Sequence, residues 1–568
     1  MKQIIECVPN YSEGRDKAVI DRIVEAIKEV EGVTLLDVDP GEATNRTVVT
    51  FVGEPGPVCE AAFRGARKAQ ELIDMRKHHG AHPRSGATDV LPLIPVAGIT
   101  LEECASLARS LAERLWKELG IPCYCYEAAA FTPERKNLAV CRAGEYEALP
   151  EKLAYPARKP DFGGEYNETV AKAGATNVGA RDFLVAVNFN LNTTSTRRAM
   201  AVAFDVREKG RKAREGGSLT GKLLKDENGN QIWIPGTLKG CKAIGWYIDE
   251  YGIAKVSMNI TDINTTPLHV AYEEVCRAAA ARGLKVTGTE IVGLVPKRVL
   301  MEAGRFYLEK QQRSLGISEE EIVKIAVKSM SLDDLKPFNP KEKVIEYLME
   351  DDAVKAKAER LVRMTVAGFA RETASESAAP GGGSVSACMG AFGAALATMV
   401  ANLSSHKRGW DERWKEFSDV AEKGQALLDD LLVLVDEDTR AFDAIMDVFA
   451  MPKGTPEEKA ARAAAMEKAT LNAAAVPLRT MEACLKALPL ALEMAQKGNP
   501  ASASDAGVAA LAAVAGIKGA RLNVRINCAG LQDKAPAEPL LKRADEIVKE
   551  AEQLEKEVLV AVESNIEL

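Results

Sequence analysis

The sequence predicts a multidomain protein with two α+β subdomains of the ferredoxin-like (split βαβ) type, followed by an all-α helical bundle domain. Its 568 residues exceed what one hydrophobic core organises, since a typical domain holds about 150 residues. Up to about residue 335, short apolar runs alternate with segments of helical periodicity. Beyond that point strand signals vanish and long alanine-rich stretches take over. Alanine has the highest helix propensity and lets helices approach closely, so these stretches predict a bundle.

The first subdomain is predicted over residues 1–181. Its elements begin with the order strand, helix, strand, strand, helix, strand, which is typical of a split βαβ unit. A further helix and strand follow. The predicted bounds are 3–8, 16–30, 33–38, 47–52, 56–75, 88–96, 101–119 and 122–126, with a turn at 39–42.

A second subdomain with the same order of elements is predicted over residues 182–335. The stretch 218–240 carries lysines together with Asn-Gly and Pro-Gly turns, and this composition indicates an exposed loop or hairpin. The predicted bounds are 181–189, 195–214, 241–248, 253–259, 268–282 and 290–294.

The third part begins after a predicted linker over 336–343, a short, proline-containing and basic segment. Residues 344–568 form the predicted helical domain. Its helices are expected at 344–372, 385–403, 410–449, 456–497, 502–526 and 536–563.

Composition narrows the class of protein. A hydrophobic fraction of 46% and a charged fraction of 27% are those of an ordinary globular protein. The net charge of −8 argues against a general nucleic-acid binder. No apolar window approaches about 18 residues, so we expect a cytoplasmic protein without membrane contact. The eleven cysteines are dispersed without a C-x-x-C pattern and are interpreted as reduced thiols.

Three of the five histidines, His78, His79 and His82, fall within one segment over 76–90. An imidazole titrates near neutral pH, so an acid–base histidine in a rigid turn is one interpretation. A zinc site formed by His78 and His82 at i, i+4 spacing is another, but Gly80 and Pro83 disfavour the helix that it needs. A solvated loop that happens to hold histidines stays open as a third.

Polar residues cluster where the third predicted element ends and the fourth begins. They are Asp37, Asp39, Asn45 and Arg46, which surround a Pro-Gly turn. A carboxylate there could orient an imidazole or bind an amine, although surface turns also favour aspartate for backbone reasons. Asn10 is similar, because it either helps to hold a carboxylate or belongs to the cap of the following helix.

Gly381, Gly382, Gly383 and Ser384 open a predicted helix. Exposed backbone N–H groups at a helix N-terminus attract anions, which predicts a carboxylate or phosphate site. A nucleotide site is disfavoured, since the Lys-[Ser/Thr] ending of a P-loop is missing. A tight turn capped by Ser384 is the alternative.

Asp438 lies in the middle of a predicted helix, three residues after Val435 and four before Phe442. This spacing places its carboxyl group on a face shared with apolar side chains. Such surroundings raise the pKa of a carboxyl group and fit it to carry protons, although mid-helix acids are usually solvated. Asp436 and Glu437 are assigned to the solvated face.

Several of these runs resemble known enzymes, and their order along the chain is that of the bifunctional formimidoyltransferase-cyclodeaminase family. The runs that resemble glutamate formimidoyltransferase are Val8-Pro-Asn-Tyr-Ser-Glu-Gly14, Asp37-Val-Asp-Pro-Gly41, Asn45-Arg-Thr47, Gly80-Ala-His-Pro-Arg84, Gly245-Trp-Tyr247 and Val292-Gly-Leu-Val-Pro296. Those that resemble formimidoyltetrahydrofolate cyclodeaminase are Ser377-Ala-Ala-Pro-Gly-Gly-Gly-Ser-Val385 and Val435-Asp-Glu-Asp-Thr-Arg-Ala-Phe442.

The resemblance implies two consecutive steps of histidine degradation. The formimino group of N-formimino-L-glutamate passes to N5 of tetrahydrofolate, and 5-formiminotetrahydrofolate is then closed to 5,10-methenyltetrahydrofolate with loss of ammonia. Tetrahydrofolate is a co-substrate, polyglutamylated in the cell, and no metal is implied. The family also implies a homo-oligomer, an octamer.

By the same resemblance, the catalytic histidine is His82 and the cyclodeaminase aspartate is Asp438. We expect Asp39 to orient or charge the imidazole, with Asn10 and Arg46 binding substrate. The segment that the resemblance assigns to folate binding is Gly163, Gly164, Glu165, Tyr166, Asn167, Glu168, Thr169, Val170, Ala171 and Lys172. Residues 164–168 and 218–240 depart from the family pattern.

Two other functions were weighed. In one, a formyl or formimino transferase that uses another donor is fused to a methenyltetrahydrofolate cyclohydrolase. In the other, the chain is a non-catalytic folate-binding protein, although the presence of both His82 and Asp438 speaks against it.

Overall fold

The structure is a computed structural model that describes residues 3–42, 44–80, 83–217, 221–248, 251–349 and 359–566. The chain divides into two compact units. One, the α/β unit, comprises Met1–Val299 with Met330–Met349, and the other, the helical unit, comprises Leu300–Ser329 with Glu350–Leu568. This division differs from the predicted boundary at residue 335, because Leu300–Ser329 groups with the helical unit.

A seven-stranded sheet organises the first part of the α/β unit. Strand β4 pairs with β3 on one side and with β1 and β2 on the other, and β5, β7 and β6 continue the sheet. Pairing is antiparallel up to β5 and parallel from β5 through β7 to β6. The strands are β1 (Ile4–Cys7), β2 (Asn10–Tyr11), β3 (Val33–Gly41), β4 (Arg46–Gly53), β5 (Thr88–Ala97), β6 (Cys123–Glu127) and β7 (Thr176–Ala180).

Helices α1, α2 and α3 cover one face of this sheet. Alternate strand residues such as Ile5, Phe51 and Leu93 point into the core against them. The opposite alternation leaves polar residues such as Glu6 and Thr50 on the other face. The helices are α1 (Lys17–Lys28), α2 (Pro55–Leu72), α3 (Leu101–Leu119), α4 (Leu138–Cys141), α5 (Leu149–Ala154) and α6 (Glu168–Ala173).

Two features of this sheet were not predicted. Strand β3 runs on through Gly41, so Asp39 lies in the strand and not in a turn. Strand β7 was missed because it reads Thr-Asn-Val-Gly-Ala and all five of its residues are buried, so it shows no polar and apolar alternation.

A four-stranded antiparallel sheet forms the second part of the α/β unit, in the order β11-β12-β8-β13. The short strands β9 and β10 pair separately; β10 lies within the stretch predicted as an exposed loop or hairpin, whereas β9 precedes that stretch. The elements are β8 (Val185–Leu191), α7 (Thr196–Val206), β9 (Arg211–Lys212), β10 (Trp233–Ile234), β11 (Cys241–Ile248), β12 (Ile253–Ile260), α8 (Leu268–Ala280) and β13 (Val286–Val292).

Helix α7 ends at Val206, so the prediction that it continues to residue 214 is wrong. The chain turns at Gly210, where φ is +65°, a conformation that glycine adopts without strain. A Cβ atom at Gly210 would also lie 1.9 Å from the Ile234 carbonyl oxygen. The close backbone approach between β9 and β10 therefore determines the conformation of this segment, and helical periodicity does not.

The predicted linker over 336–343 is folded within the α/β unit. Val295 donates its backbone N–H to the Lys343 carbonyl at 2.9 Å. The helices around it, which were not predicted individually, are α9 (Lys297–Lys310), α10 (Glu319–Ser329), α11 (Pro340–Lys343) and α12 (Ile345–Met349).

The helical unit is a bundle, as predicted. Its core is rich in alanine, and Gly390 allows a close crossing because a Cβ atom there would lie 2.3 Å from Cys484 Sγ. The helices are α13 (Val366–Thr373), α14 (Gly382–Ser405), α15 (Trp414–Phe449), α16 (Pro456–Lys497), α17 (Ala503–Gly530) and α18 (Ala537–Asn565).

One continuous helix over 344–372 is not observed. Helix α12 ends at Met349, and α13 begins only at Val366, where the Thr365 side chain caps it. The part of that prediction over 350–358 lies outside the described residues.

Two segments of the bundle, Gly382–Ser405 and Pro500–Gly530, are long and apolar enough to cross a membrane by length and composition alone. Burial within the unit reaches 61% and 56% of their apolar windows. The buried part of each window therefore serves the core of the bundle.

Candidate active sites

A cleft of about 500 Å³ lies over the polar face of the seven-stranded sheet, and residues from β8, β12 and the end of β13 complete its wall. Three predicted site residues, Asn10, Asp39 and Arg46, line it together. The Arg46 guanidinium donates to Asn10 Oδ1. The structure thus brings together residues that lie 36 positions apart in sequence and puts them at a cavity large enough for a small-molecule ligand.

Two cationic side chains make this cleft suitable for an anion. Arg142, which was not predicted, lines it and pairs with the buried Asp89 at 2.7 Å. The Nε–H groups of Arg46 and Arg142 are buried and meet no acceptor among the described residues. Burial lowers the pKa of Arg46, while Asp89 opposes this shift and Arg142 adds to it. Two guanidinium groups with uncommitted donors fit a carboxylate.

Glu6 supplies a carboxyl group to the same cleft. Its side chain lines the cavity, yet the residue is only 4% exposed. Burial raises the pKa of Glu6 to about 7, while Arg181 opposes the shift and Glu346 adds to it. Sequence reasoning treated this residue as part of a strand. The one signal available was a glutamate inside an otherwise largely apolar run.

Asp39 lies at the exposed edge of the cleft, and Asp37 lies beside it. Burial raises the pKa of Asp37, and the neighbouring Asp39 adds to the shift while Lys343 opposes it. The pair gives this end of the cleft an acidic character opposite in sign to the arginines.

His82, the predicted catalytic histidine, lies outside the described residues. Its neighbour in the motif, His78, is buried. His78 Nε2 lies 2.9 Å from the Asn45 carbonyl oxygen, and the Arg84 Nε–H donates to His78 Nδ1 at 3.4 Å. Burial lowers the pKa of His78, with the Asn45 hydrogen bond opposing and Arg84 adding to the shift.

His78 is therefore a neutral imidazole with both nitrogens engaged, and it leaves no nitrogen for the zinc site weighed above. It ties its loop to the start of β4 instead. Gly80 approaches the same place, since a Cβ atom there would lie 2.2 Å from the Thr44 carbonyl oxygen. Arg84 anchors the other side of the loop through Glu145 at 3.1 Å and Glu147 at 2.6 Å.

The predicted folate segment, Gly163–Lys172, lies beside α2 and α3 and is not among the residues that line the cleft. Asn167 caps α6 by accepting from the Val170 N–H at 3.0 Å, and Lys172 donates to the Glu71 carbonyl at 3.0 Å. Tyr166 is exposed, so its ring is accessible to a ligand. The role of this segment in folate binding stays a prediction.

In the helical unit, the two predicted motifs meet at one site. Asp438 on α15 faces the start of α14, where the Ser384 hydroxyl donates to Asp438 Oδ2 at 3.1 Å. Burial raises the pKa of Asp438, although the hydrogen bonds from Ser384 oppose this. A Cβ atom at Gly383 would lie 2.0 Å from Asp438 Oδ1. The glycine run is thus needed for the backbone to approach the carboxylate.

This contact refines the predicted anion site at Gly381–Ser384. The N-terminus of α14 already meets the Asp438 carboxyl group of the same chain. The Ser384 side chain does not cap the helix, because the N-cap position belongs to Gly381.

A cavity of about 120 Å³ opens beside Asp438. The Gly381–Gly383 run lines it, as do Asn523 and Asn527 of α17. Sequence reasoning missed these two asparagines. An i, i+4 pair of amides in an alanine-rich helix was the only available signal.

The assignment of Asp436 to a solvated face is wrong. Asp436 is 4% exposed, and its carboxylate accepts the backbone N–H groups of Leu361 at 2.8 Å and Val362 at 3.2 Å. Two charge-assisted hydrogen bonds compensate for its burial. Glu437 lies nearer the surface and pairs with Arg479 at 2.5 Å.

Comparison with known proteins relates each part of the chain to a family. The model of the formiminotransferase domain, N-terminal subdomain, matches residues 4–181, and that of the formiminotransferase domain matches 186–350. The model described as formiminotransferase-cyclodeaminase matches residues 365–546.

Curated relatives agree over the whole length. The formimidoyltransferase-cyclodeaminase of Sus scrofa is 44% identical over 552 residues, which cover 97% of this chain and 97% of that protein. The glutamate formimidoyltransferase of Streptococcus pyogenes serotype M1 is 40% identical over 309 residues, 54% of this chain and 94% of that protein. The methenyltetrahydrofolate cyclohydrolase of Methylorubrum extorquens is 41% identical over 202 residues, 36% of this chain and 97% of that protein. The chain belongs to the formimidoyltransferase-cyclodeaminase family.

Proposed function

We propose that the chain is a folate-dependent bifunctional enzyme of histidine degradation. The α/β unit transfers the formimino group from N-formimino-L-glutamate to N5 of tetrahydrofolate, giving 5-formiminotetrahydrofolate and glutamate. The helical unit converts that intermediate to 5,10-methenyltetrahydrofolate and ammonia. The observation that carries the proposal is the 44% identity, across 97% of both chains, to a relative named for both activities.

In the transfer step, N5 of tetrahydrofolate attacks the amidine carbon of the donor. The adduct must lose a proton from one nitrogen and gain one on the departing glutamate nitrogen. His82 performs both transfers in turn, and Asp39 orients its imidazole. Arg46 and Arg142 hold a carboxylate of the donor through charge-assisted hydrogen bonds, with Asn10 positioning Arg46. Asn10, Arg46 and Arg142 line one cleft, which supports the roles of these three residues.

In the second step, N10 attacks the formimino carbon and the terminal nitrogen leaves as ammonia. That nitrogen must be protonated before it can depart. Asp438 supplies the proton, because burial raises the pKa of its carboxyl group and so suits it to accept a proton from the attacking nitrogen and pass it on.

The test mixes the purified protein with tetrahydrofolate and N-formimino-L-glutamate and follows the absorbance of methenyltetrahydrofolate together with free ammonia. We expect His82→Ala to block the transfer while leaving the conversion of supplied 5-formiminotetrahydrofolate. Asp438→Asn should do the reverse, since general acid–base catalysis contributes about 10²- to 10⁴-fold. If both variants kept both activities, the assigned residues would be wrong.

A second function deserves comparison because the helical part also matches a protein named methenyltetrahydrofolate cyclohydrolase. In that case the chain would transfer a formyl or formimino group from another donor. Formylglutamate and formiminoglycine, assayed beside formiminoglutamate, separate the two functions. Release of ammonia in equal amount to methenyltetrahydrofolate supports the cyclodeaminase.

We also infer that both sheets of the α/β unit are ferredoxin-like, split βαβ folds. In the second sheet the order β11-β12-β8-β13 is all antiparallel. The first sheet repeats this order as β3-β4-β1-β5 and adds β7 and β6 at its edge. A structural superposition of the two sheets tests the inference.

The enzyme is a homo-oligomer, an octamer, in this proposal. The support is a stripe of apolar side chains at alternating spacings of three and four residues along α14. Such spacing is typical of a helix face that packs against another helix. Its exposed members are Met389, Phe392, Met399 and Leu403.

The enzyme further acts in the cytoplasm on polyglutamylated tetrahydrofolate without a metal. Neither step transfers electrons, and an imidazole and a carboxyl group suffice to move the protons. Dialysis against a chelator should leave both activities intact, and tetrahydrofolate with a longer glutamate tail should lower KM.

A further inference from the structure

The cavity beside Asp438 is small, and amide side chains contribute to its lining. Its volume of about 120 Å³ is below the roughly 300 Å³ at which pockets begin to enclose whole cofactor-sized ligands. It therefore has room for the formimino group and not for the whole pterin ring system. Besides Asp438, the polar side chains that reach it include those of Asn523 and Asn527.

The orientation of both amides is fixed by their partners. Asn523 Nδ2 donates to the Gly519 carbonyl at 3.0 Å, and Asn527 Nδ2 donates to the Ala473 carbonyl at 2.6 Å. A carbonyl oxygen can only accept, so the nitrogen of each amide must face it. Each Oδ1 is then left over, and it meets no donor among the described residues of the helical unit.

The two asparagines and Asp438 lie around the same turn of backbone. An ideal Cβ atom on Gly382 would lie 3.3 Å from Asn523 Nδ2 and 3.6 Å from Asn523 Oδ1, and one on Gly383 would lie 2.0 Å from Asp438 Oδ1. The Asn523 amide and the Asp438 carboxyl group therefore flank consecutive glycines. The cavity offers hydrogen-bond acceptors to its contents, which suits a group rich in N–H donors.

We propose that Asn523 and Asn527, acting with Asp438, form the subsite that holds the terminal nitrogen of the formimino group and the ammonia that leaves from it. The inference rests on the proposed cyclodeaminase function and adds two positioning residues to it. An amidinium nitrogen carries two N–H donors, one for the Asp438 carboxylate and one for an asparagine Oδ1. Ammonia carries three, which matches the three acceptors.

The chemistry balances with these groups alone. N10 forms a bond to the formimino carbon of the amidinium and becomes cationic. Asp438 takes the N10 proton and passes it to the terminal nitrogen. The bond between carbon and that nitrogen then breaks, and its electron pair leaves with ammonia. The positive charge stays on the methenyl product, and Asp438 returns to its starting state.

The test replaces both amides with leucine, which has nearly the same volume and no acceptor. In the full-length Asn523→Leu, Asn527→Leu protein, we expect kcat for ammonia release from supplied 5-formiminotetrahydrofolate to fall about 10- to 100-fold. This is the loss that corresponds to hydrogen bonds with a charged group. The Ki for ammonium chloride as product inhibitor should rise by a similar factor, while KM for the folate stays unchanged.

Aspartate at the same positions separates an acceptor role from a structural one. Asn523→Asp also loses the donor to the Gly519 carbonyl, but it keeps an oxygen in the cavity. We expect the aspartate variant to bind ammonium at least as tightly as the wild type, in contrast to the leucine variant. Asn565→Leu is the matched control, because its amide donates to the Ala495 and Ala561 carbonyls outside the cavity.

Equal impairment of the leucine and aspartate variants would overturn the inference and indicate a structural role. An increased KM for folate with an unchanged ammonium Ki would also overturn it. If the leucine variant released ammonia at the wild-type rate, the inference would be overturned but the proposed function would stand. A wild-type protein that releases no ammonia would instead overturn the proposed function and the inference with it.

Discussion

Glu6 illustrates how the surroundings of one side chain set its chemistry. In the unfolded chain a glutamate has a pKa of about 4.3, whereas burial raises the pKa of Glu6 to about 7 in the folded protein. The folded state therefore binds this proton more tightly. The contribution to stability is fully present below about pH 4 and is lost as the pH rises towards 7.

Glu6→Gln should remove this pH-dependent loss of stability, because a glutamine side chain does not ionise. We expect its melting temperature to exceed that of the wild type at about pH 8, by the equivalent of at most about 4 kcal/mol, and the two to converge near pH 4. Thermal unfolding across this pH range measures the difference. Glu25→Gln, an exposed carboxyl on α1, should show no such trend. A difference that did not depend on pH would contradict the prediction.

Arg46 is the residue on which donor affinity should depend most. Removing a guanidinium that binds a carboxylate costs roughly 1.5–3 kcal/mol, so Arg46→Ala should raise KM for formiminoglutamate about 10- to 100-fold. Steady-state kinetics with varied donor and saturating tetrahydrofolate provide the measurement. Arg114→Ala removes a cation on α3 that pairs with Glu60 and does not line the cleft, so it should leave KM unchanged. Equal effects of both changes would disprove the assignment.

At the scale of the element, the start of α14 is built for contact with α15. Gly383 has no room for a side chain, since a Cβ atom would meet the Asp438 carboxylate. We expect Gly383→Ala to displace Asp438 and reduce ammonia release at least tenfold, while formimino transfer in the other unit continues. Separate assays of the two half-reactions check this outcome.

Gly381→Ala is the matched control for that change. A Cβ atom at Gly381 would meet nothing within 4 Å, and the backbone there has a negative φ of −104°. The variant should therefore leave Asp438 in place and retain more ammonia release than Gly383→Ala. Loss of ammonia release in Gly381→Ala as well would show that helix capping, and not space beside Asp438, is what the glycines provide.

At the scale of the whole molecule, the apolar stripe on α14 should control assembly. Phe392→Glu places a charge in the middle of the stripe, and a buried unpaired charge strongly disfavours association. We expect the mass measured by light scattering to fall below that of the wild-type oligomer. Val366→Glu on α13, which is 75% exposed, should leave the mass unchanged. An unaltered mass for Phe392→Glu would place the interface elsewhere.

Sequence alone was sufficient where a local pattern decides structure or chemistry. Helices α3 and α16 begin and end at the predicted residues, because capping boxes at Thr100 and Thr455 and sustained periodicity specify them. The spacing of Asp438 indicated a face shared with apolar neighbours, and the resemblance to the cyclodeaminase motif singled this residue out. The first six predicted elements of the α/β unit likewise follow from alternation along the chain, whereas β7, which shows none, was missed.

Only the tertiary structure could decide which distant residues share a site and which groups are buried. It brought Gly383 against Asp438 and placed Glu6 and Arg142 in the same cleft as Arg46. It also placed Asn523 and Asn527 of α17 in the lining of the cavity beside Asp438. It also showed that Asp436, which was expected at the surface, is buried and accepts the backbone N–H of Leu361. The physical reason is that desolvation and close backbone approach depend on neighbours remote in sequence, whereas periodicity and capping depend on residues a few positions away.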